Sequence, residues 1–150
     1  HWGNTYPWSE SEMPEEGKFV HQLTGTYNGK NGNDSMLPDF YTPYGVDHGK
    51  PVAIPETASL VQADIGALRD LNIKRAWWEQ VFDPTVHERF PQLKMVNWFE
   101  WKKMEPEVGA PVDWTVLENP TTQNEFTAAL PNWYQYAPEP QTCGKPLVEP

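Results

Sequence analysis

The 150-residue chain is predicted to be an α/β protein in which strands and helices alternate along one parallel sheet. Three observations predict it. The first is a short apolar run, Val52-Ala53-Ile54, of the kind found in strands covered on both faces. The second is a longer run, Leu93–Trp101, nearly all apolar or aromatic. The third is the helical periodicity of the segment between them, which makes a strand–helix–strand unit with a right-handed crossover.

Each element follows from local chemistry. Residues 1–49 are rich in turn formers such as Asn28-Gly29, Asn31-Gly32-Asn33 and Leu37-Pro38, with one helical turn or two expected over Gly17–Leu23. Lys50–Ser59 is the first strand, and Pro55 sits toward its end, where a missing N–H is tolerated. Residues 61–82 are helical: Ile73, Ala76, Trp77 and Val81 fall on one stripe, which makes the Trp77-Trp78 pair packing residues. Asp83-Pro84 breaks that helix and starts a short one, with Asp83 as N-cap and Pro84 in the first turn, until Phe90-Pro91 ends it. Leu93–Trp101 is the second strand. Residues 102–120 read as a polar loop, with local pairing over Val112-Asp113-Trp114. Gln123–Leu130 is the last helix, and 136–150 is an extended, proline-rich tail.

Composition narrows the function classes. Eleven Lys+Arg against 21 Asp+Glu leave a net charge of −10, which argues against a nucleic-acid backbone as partner. No apolar stretch reaches the length of a membrane span; Met95–Phe99 is strand-sized and interrupted by Asn97. Eight Trp, six Tyr and six Phe exclude a disordered chain in spite of 16 Pro and 10 Gly. The lone Cys143 has no internal disulfide partner. His21, His48 and His87 have no ligand spacing, so neither a metal nor a cofactor is expected. Two strands do not make a stable parallel sheet by themselves, so the chain is expected to be part of a longer one, with apolar residues such as Ile54, Val96 and Trp98 laid open.

In a (β/α)₈ barrel the chemistry gathers at the C-terminal ends of the strands. Glu56 lies at that end of the first strand, followed by the small residues Thr57, Ala58 and Ser59, which would let a ligand approach. It reads either as a solvated acid or as a catalytic carboxylate. Trp98 reads either as core or as a platform for the C–H face of a pyranose. Glu100 is a candidate second carboxylate, with a surface role the stronger reading.

Taken in order, HWGNTYPW, DFYTPYGVDHGKPVAIPETAS, IKRAWWEQVF, FPQLKMVNWFEWKK and DWTVL…NEFTAALPNWYQY resemble the C-terminal part of family 26 of the glycoside hydrolases, β-mannanase-like enzymes. The resemblance covers most of residues 1–135. It implies the C-terminal part of a (β/α)₈ TIM barrel, from the end of the sixth strand to the eighth, with 1–150 a partial catalytic domain. It also implies retaining hydrolysis of β-linked polysaccharide, mannan-type hemicellulose foremost, by a secreted monomer. Carried over position by position, Glu56 matches the nucleophile and Trp98 the sugar-stacking residue. His1 and Trp2 match the end of the sixth strand; Tyr6, nearby, is a further expected substrate contact. The family's general acid/base comes from a strand outside this sequence. Asn33-Asp34-Ser35, a glycosylation acceptor, suits secretion. A non-catalytic carbohydrate-binding protein on the same scaffold is the alternative.

Overall fold

The two apolar runs do become neighbouring parallel strands. The computed structural model describes residues 2–3, 13–27, 38–62, 65–106 and 108–135, which form a mixed α/β arrangement of one parallel and one antiparallel sheet. In the parallel sheet, β2 (Val52–Ala58) lies between β1 (Trp2–Gly3) and β4 (Leu93–Trp98). Ile54 pairs with Val96, and Thr57 pairs with both Trp2 and Trp98. No closed barrel forms among the described residues; the three strands make an open sheet.

Side chains alternate between the two faces of a strand. Val52, Ile54 and Thr57 are buried, whereas Ala53, Pro55 and Glu56 are exposed. On β4, Val96 is half-buried while Met95 and Asn97 are exposed. Over Val52–Ile54 and the β4 residues beside them the sheet is therefore covered on one face only, while Ala58 at the end of β2 is buried against Val112 and Trp114. The expectation that Ile54, Val96 and Trp98 would lie open is corrected: all three join the helix-facing core, and the open face carries Ala53 and Met95 instead.

Helices cover the closed face. In α1 (Lys18–Leu23) Phe19 and Leu23 are fully buried, and Phe19 meets Trp77 edge to face at 5.9 Å. A π-helical segment, Tyr41–Asp47, brings the Tyr41 hydroxyl within 2.9 Å of the Gln92 amide, which donates to it. The long helix α2 (Ala67–Val81) buries Ile73, Trp77 and Val81 of the stripe read from the sequence, and Trp78 beside them, while Ala76 of that stripe is half-buried. It starts later than residue 61, because Val61–Gln62 is β3 and pairs outward with the second sheet. In α3 (Pro84–Arg89) the Asp83 side chain accepts from the Thr85 amide at 2.7 Å, the predicted cap. Helix α4 (Pro120–Ala129) begins ahead of the expected Gln123 because Asn119 caps the amides of Thr121 and Thr122. Phe126 of α4 packs on Trp78 at 5.4 Å.

The loop expected over 102–120 is a further correction. Lys102–Glu105 (β5) and Ala110–Asp113 (β6) form an antiparallel hairpin, and β6 also pairs with β3. Gly109, at φ +67°, supplies the left-handed residue this connection needs. The expected local pairing over 112–114 corresponds to the end of β6. Polarity hid the hairpin: in its two strands only Val112 is fully buried, too little to produce a visible alternation.

Candidate active site

Glu56 is presented by a local irregularity in β2. The register with β4 shifts between Ile54 and Thr57, and Pro55, which has no N–H to donate, lies inside that interval. Strict alternation would turn Pro55 and Glu56 to opposite faces, yet both are exposed. The bulge thus frees the Glu56 side chain toward solvent at the C-terminal end of the central strand.

The residues behind it are held fast. Thr57 is fully buried, and its hydroxyl accepts from the Trp77 indole N–H at 2.9 Å. The Thr57 carbonyl accepts from the Phe99 amide at 2.9 Å, tying β2 to the exit of β4. Ala58 and Ser59 are also fully buried, with Ser59 Oγ donating to the Ile73 carbonyl at 3.4 Å. The small side chains after Glu56 were expected to leave room for a ligand; instead Thr57 and Ser59 bond to α2, and Ala58 packs with Val112 and Trp114.

The backbone pairing of Thr57 with Trp2 on one side and Trp98 on the other aligns two predicted positions, Trp2 and Trp98, across the residue next to Glu56. His1 and Tyr6 lie outside the described residues, and for Trp2 only the strand pairing is described. The half-buried Trp98 ring packs against Phe82 at 6.1 Å and Phe126 at 5.0 Å, on the helix side. Its indole N–H is buried with no acceptor among the described residues. The contacts that the structure gives this ring are core contacts.

Glu100 has a structural occupation. Its Oε2 accepts from the Val116 amide at 2.7 Å and its Oε1 from the Leu117 amide at 2.7 Å. Burial raises its pKa above the ordinary carboxylate value, against the lowering effect of these two N–H groups and of Lys74. Its two oxygens anchor the chain at 116–117.

A charged cluster escaped the sequence reading. Lys74, only 2% exposed, places its ammonium 2.9 Å from Asp70 and 3.5 Å from Asp113 of β6. Lys102 reaches Asp113 at 3.5 Å as well. Burial raises the Asp113 pKa, but the Thr115 hydroxyl and amide together with Lys74 and Lys102 outweigh it and hold the carboxyl below its usual range. In turn Asp113 raises the pKa of Lys102. The cluster fastens the hairpin to α2. Its only sequence trace is the i, i+4 spacing of Asp70 and Lys74.

A cleft of about 610 Å³ opens between α1, α2 and α3, lined by Val20, His21, Glu79, Asp83 and Arg89; Glu56 is not among its walls. Among the described residues no group of three or more His, Cys, Asp or Glu is gathered for a metal ion, and no helix is long and apolar enough to cross a membrane. No protein-family model matches the chain, and no curated protein or solved structure does either.

Proposed function

We propose that this chain contributes the nucleophile-bearing part of a retaining β-glycan hydrolase, with Glu56 as the attacking carboxylate. The observation that carries the reading is the exposure of Glu56 on a bulge at the C-terminal end of the central parallel strand, beside residues locked by Trp77 and Phe99. Bulges of this kind re-aim side chains next to active sites. The order β1-β2-β4 with helices on one face is also what consecutive units of a (β/α)₈ barrel would present, and such barrels place their chemistry at this end of the strands. The open face of Ala53 and Met95 would then face the barrel interior.

In this mechanism Glu56 attacks the anomeric carbon of a β-linked sugar while a carboxylic acid protonates the departing glycosidic oxygen. Water, activated by the same acid in its carboxylate form, then releases the sugar from Glu56 with net retention. Two such groups work at about 5–5.5 Å. Glu100 is already shared between two backbone amides, so the acid belongs to another part of the protein. Mannan-type hemicellulose is the proposed substrate, and the setting is extracellular. Trp98 takes part through whatever area of its ring solvent reaches, while its packing on Phe82 and Phe126 steadies the end of β4.

The test uses the protein specified by the full coding sequence. Glu56→Gln should abolish turnover of mannan and of an aryl β-glycoside while leaving sugar binding nearly intact. Azide added to Glu56→Ala should yield a glycosyl azide of inverted configuration, since azide enters from the face the carboxylate vacated. Wild-type turnover by Glu56→Gln would overturn the assignment. Sugar binding by an unaltered protein that hydrolyses nothing would favour the non-catalytic alternative, for which the structural commitment of Glu100 is the one supporting observation.

A further inference from the structure

We infer that Trp101 forms a second sugar-stacking platform, holding a unit of the polysaccharide beyond the one that Glu56 attacks; this rests on the reading of Glu56 above. Four aromatic residues lie close together at this end of the fold, and three go inward. Trp98 packs on Phe82 and Phe126, and Phe99 meets Trp114 edge to face at 5.3 Å. Trp101 alone of the group stays out, with 56% of its surface exposed.

An indole left in water forgoes a large hydrophobic stabilisation, since aromatic side chains bury about 150–250 Å² each when they pack. The backbone beneath it is nonetheless fixed. The Trp101 carbonyl accepts from the Trp114 amide at 3.0 Å, and the preceding residue, Glu100, is bound to the amides of Val116 and Leu117. A ring on a pinned backbone loses little further freedom on binding, which favours a flat partner. Pyranose rings of a β-linked chain offer that partner in their C–H faces.

The position suits the role. Phe99 donates its amide hydrogen to the Thr57 carbonyl, next to Glu56, and Trp101 lies just beyond Phe99. Chain geometry then keeps the Cα atoms of Trp101 and Glu56 within about 18 Å of each other. Both are at the C-terminal end of the parallel strands. A polysaccharide crossing that rim can meet the carboxylate and the indole with different sugar units, so Trp101 would set the preference for long substrates over short ones.

The experiment compares Trp101→Ala and Trp101→Phe with the unaltered protein, all from the full coding sequence, with folding checked by circular dichroism. Trp101→Ala should lower kcat/KM on mannan about tenfold, the worth of one aromatic contact, and leave turnover of a single-sugar aryl β-glycoside unchanged. Trp101→Phe should restore most of the loss. Retardation in a mannan gel, which needs no turnover, should fall in parallel for Trp101→Ala. Unchanged retardation, or equal losses on long and short substrates, would overturn the inference. The Glu56→Gln measurement decides the nucleophile separately: an active Glu56→Gln protein sinks that reading, whereas an inactive one with undiminished retardation for Trp101→Ala sinks only this inference.

Discussion

The Trp77 indole donates to the Thr57 hydroxyl at 2.9 Å across the interface of α2 and β2, with both residues fully buried. One hydrogen bond thereby couples α2, the longest helix among the described residues, to the residue beside the candidate nucleophile. It satisfies a buried N–H that would otherwise be costly, and it fixes which way β2 turns where its register slips.

Thr57→Val keeps the shape of the side chain and removes the acceptor. The orphaned Trp77 N–H should cost about 1–3 kcal/mol of stability, read as a lower urea midpoint with an unchanged slope. Thr57→Ser should lose less, because its hydroxyl can still accept. If Glu56 is the nucleophile, Thr57→Val should also reduce kcat more than it alters KM.

Asp113→Asn addresses the buried Lys74. Removing one partner of a buried ion pair typically costs about 3–5 kcal/mol, and with Asp70 still at 2.9 Å the loss here should be about 2–3 kcal/mol. The native pKa of Asp113 lies below its ordinary 3.8, so its contribution is fully present above that value and is lost as pH falls through the native one. The stability of the variant, measured by urea titration from pH 2 to 6, should fall less steeply on the acid side than that of the unaltered protein.

Glu100 has the opposite sign. Burial raises its native pKa above the ordinary 4.5, so the folded state keeps this proton to higher pH than the unfolded chain does. Its favourable contribution is present below 4.5 and is lost as pH rises through the native value. Glu100→Gln should therefore show a smaller decline in stability over that rising range. A steeper decline in the same urea titrations would contradict this.

Trp98→Ala should destabilise the protein by about 3 kcal/mol, the lower part of the range for emptying a buried aromatic site, because the ring is half-buried against Phe82 and Phe126. Trp98→Phe should recover much of that loss in thermal unfolding. A stable Trp98→Ala protein that fails only in sugar binding would return this residue to the pure platform role.

Among the described residues an exposed sheet face lies at Ala53 and Met95, with β1 and β4 at the edges of the sheet. Sheet edges recruit further strands. Self-association that increases with concentration is expected by light scattering, and a sharp thermal transition from a monomer would count against the partial-barrel proposal.

What could be read from the sequence was what short-range chemistry specifies. Val52–Ile54 and Leu93–Trp101 are apolar enough to be strands, although β4 ends at Trp98, the Ile73-Trp77-Val81 stripe sets the buried side of α2, and Asp83-Pro84 caps α3 by itself. The position of Glu56 at a strand end was legible for the same reason: Pro55 and the polar residues after it terminate the apolar run. Tertiary structure decided which face each side chain took. A bulge reverses alternation without changing composition, so only the β2–β4 register exposes Glu56 and buries Thr57. The pairing of Lys74 with Asp113 and the partners of Glu100 and Trp98 are likewise distant in sequence, and hydrogen bonds, ion pairs and ring contacts across such separations have no local periodicity to betray them. The hairpin over 102–113 needed the fold as well, because its pairing with Val61–Gln62 joins segments whose own apolar content is too small to declare a sheet.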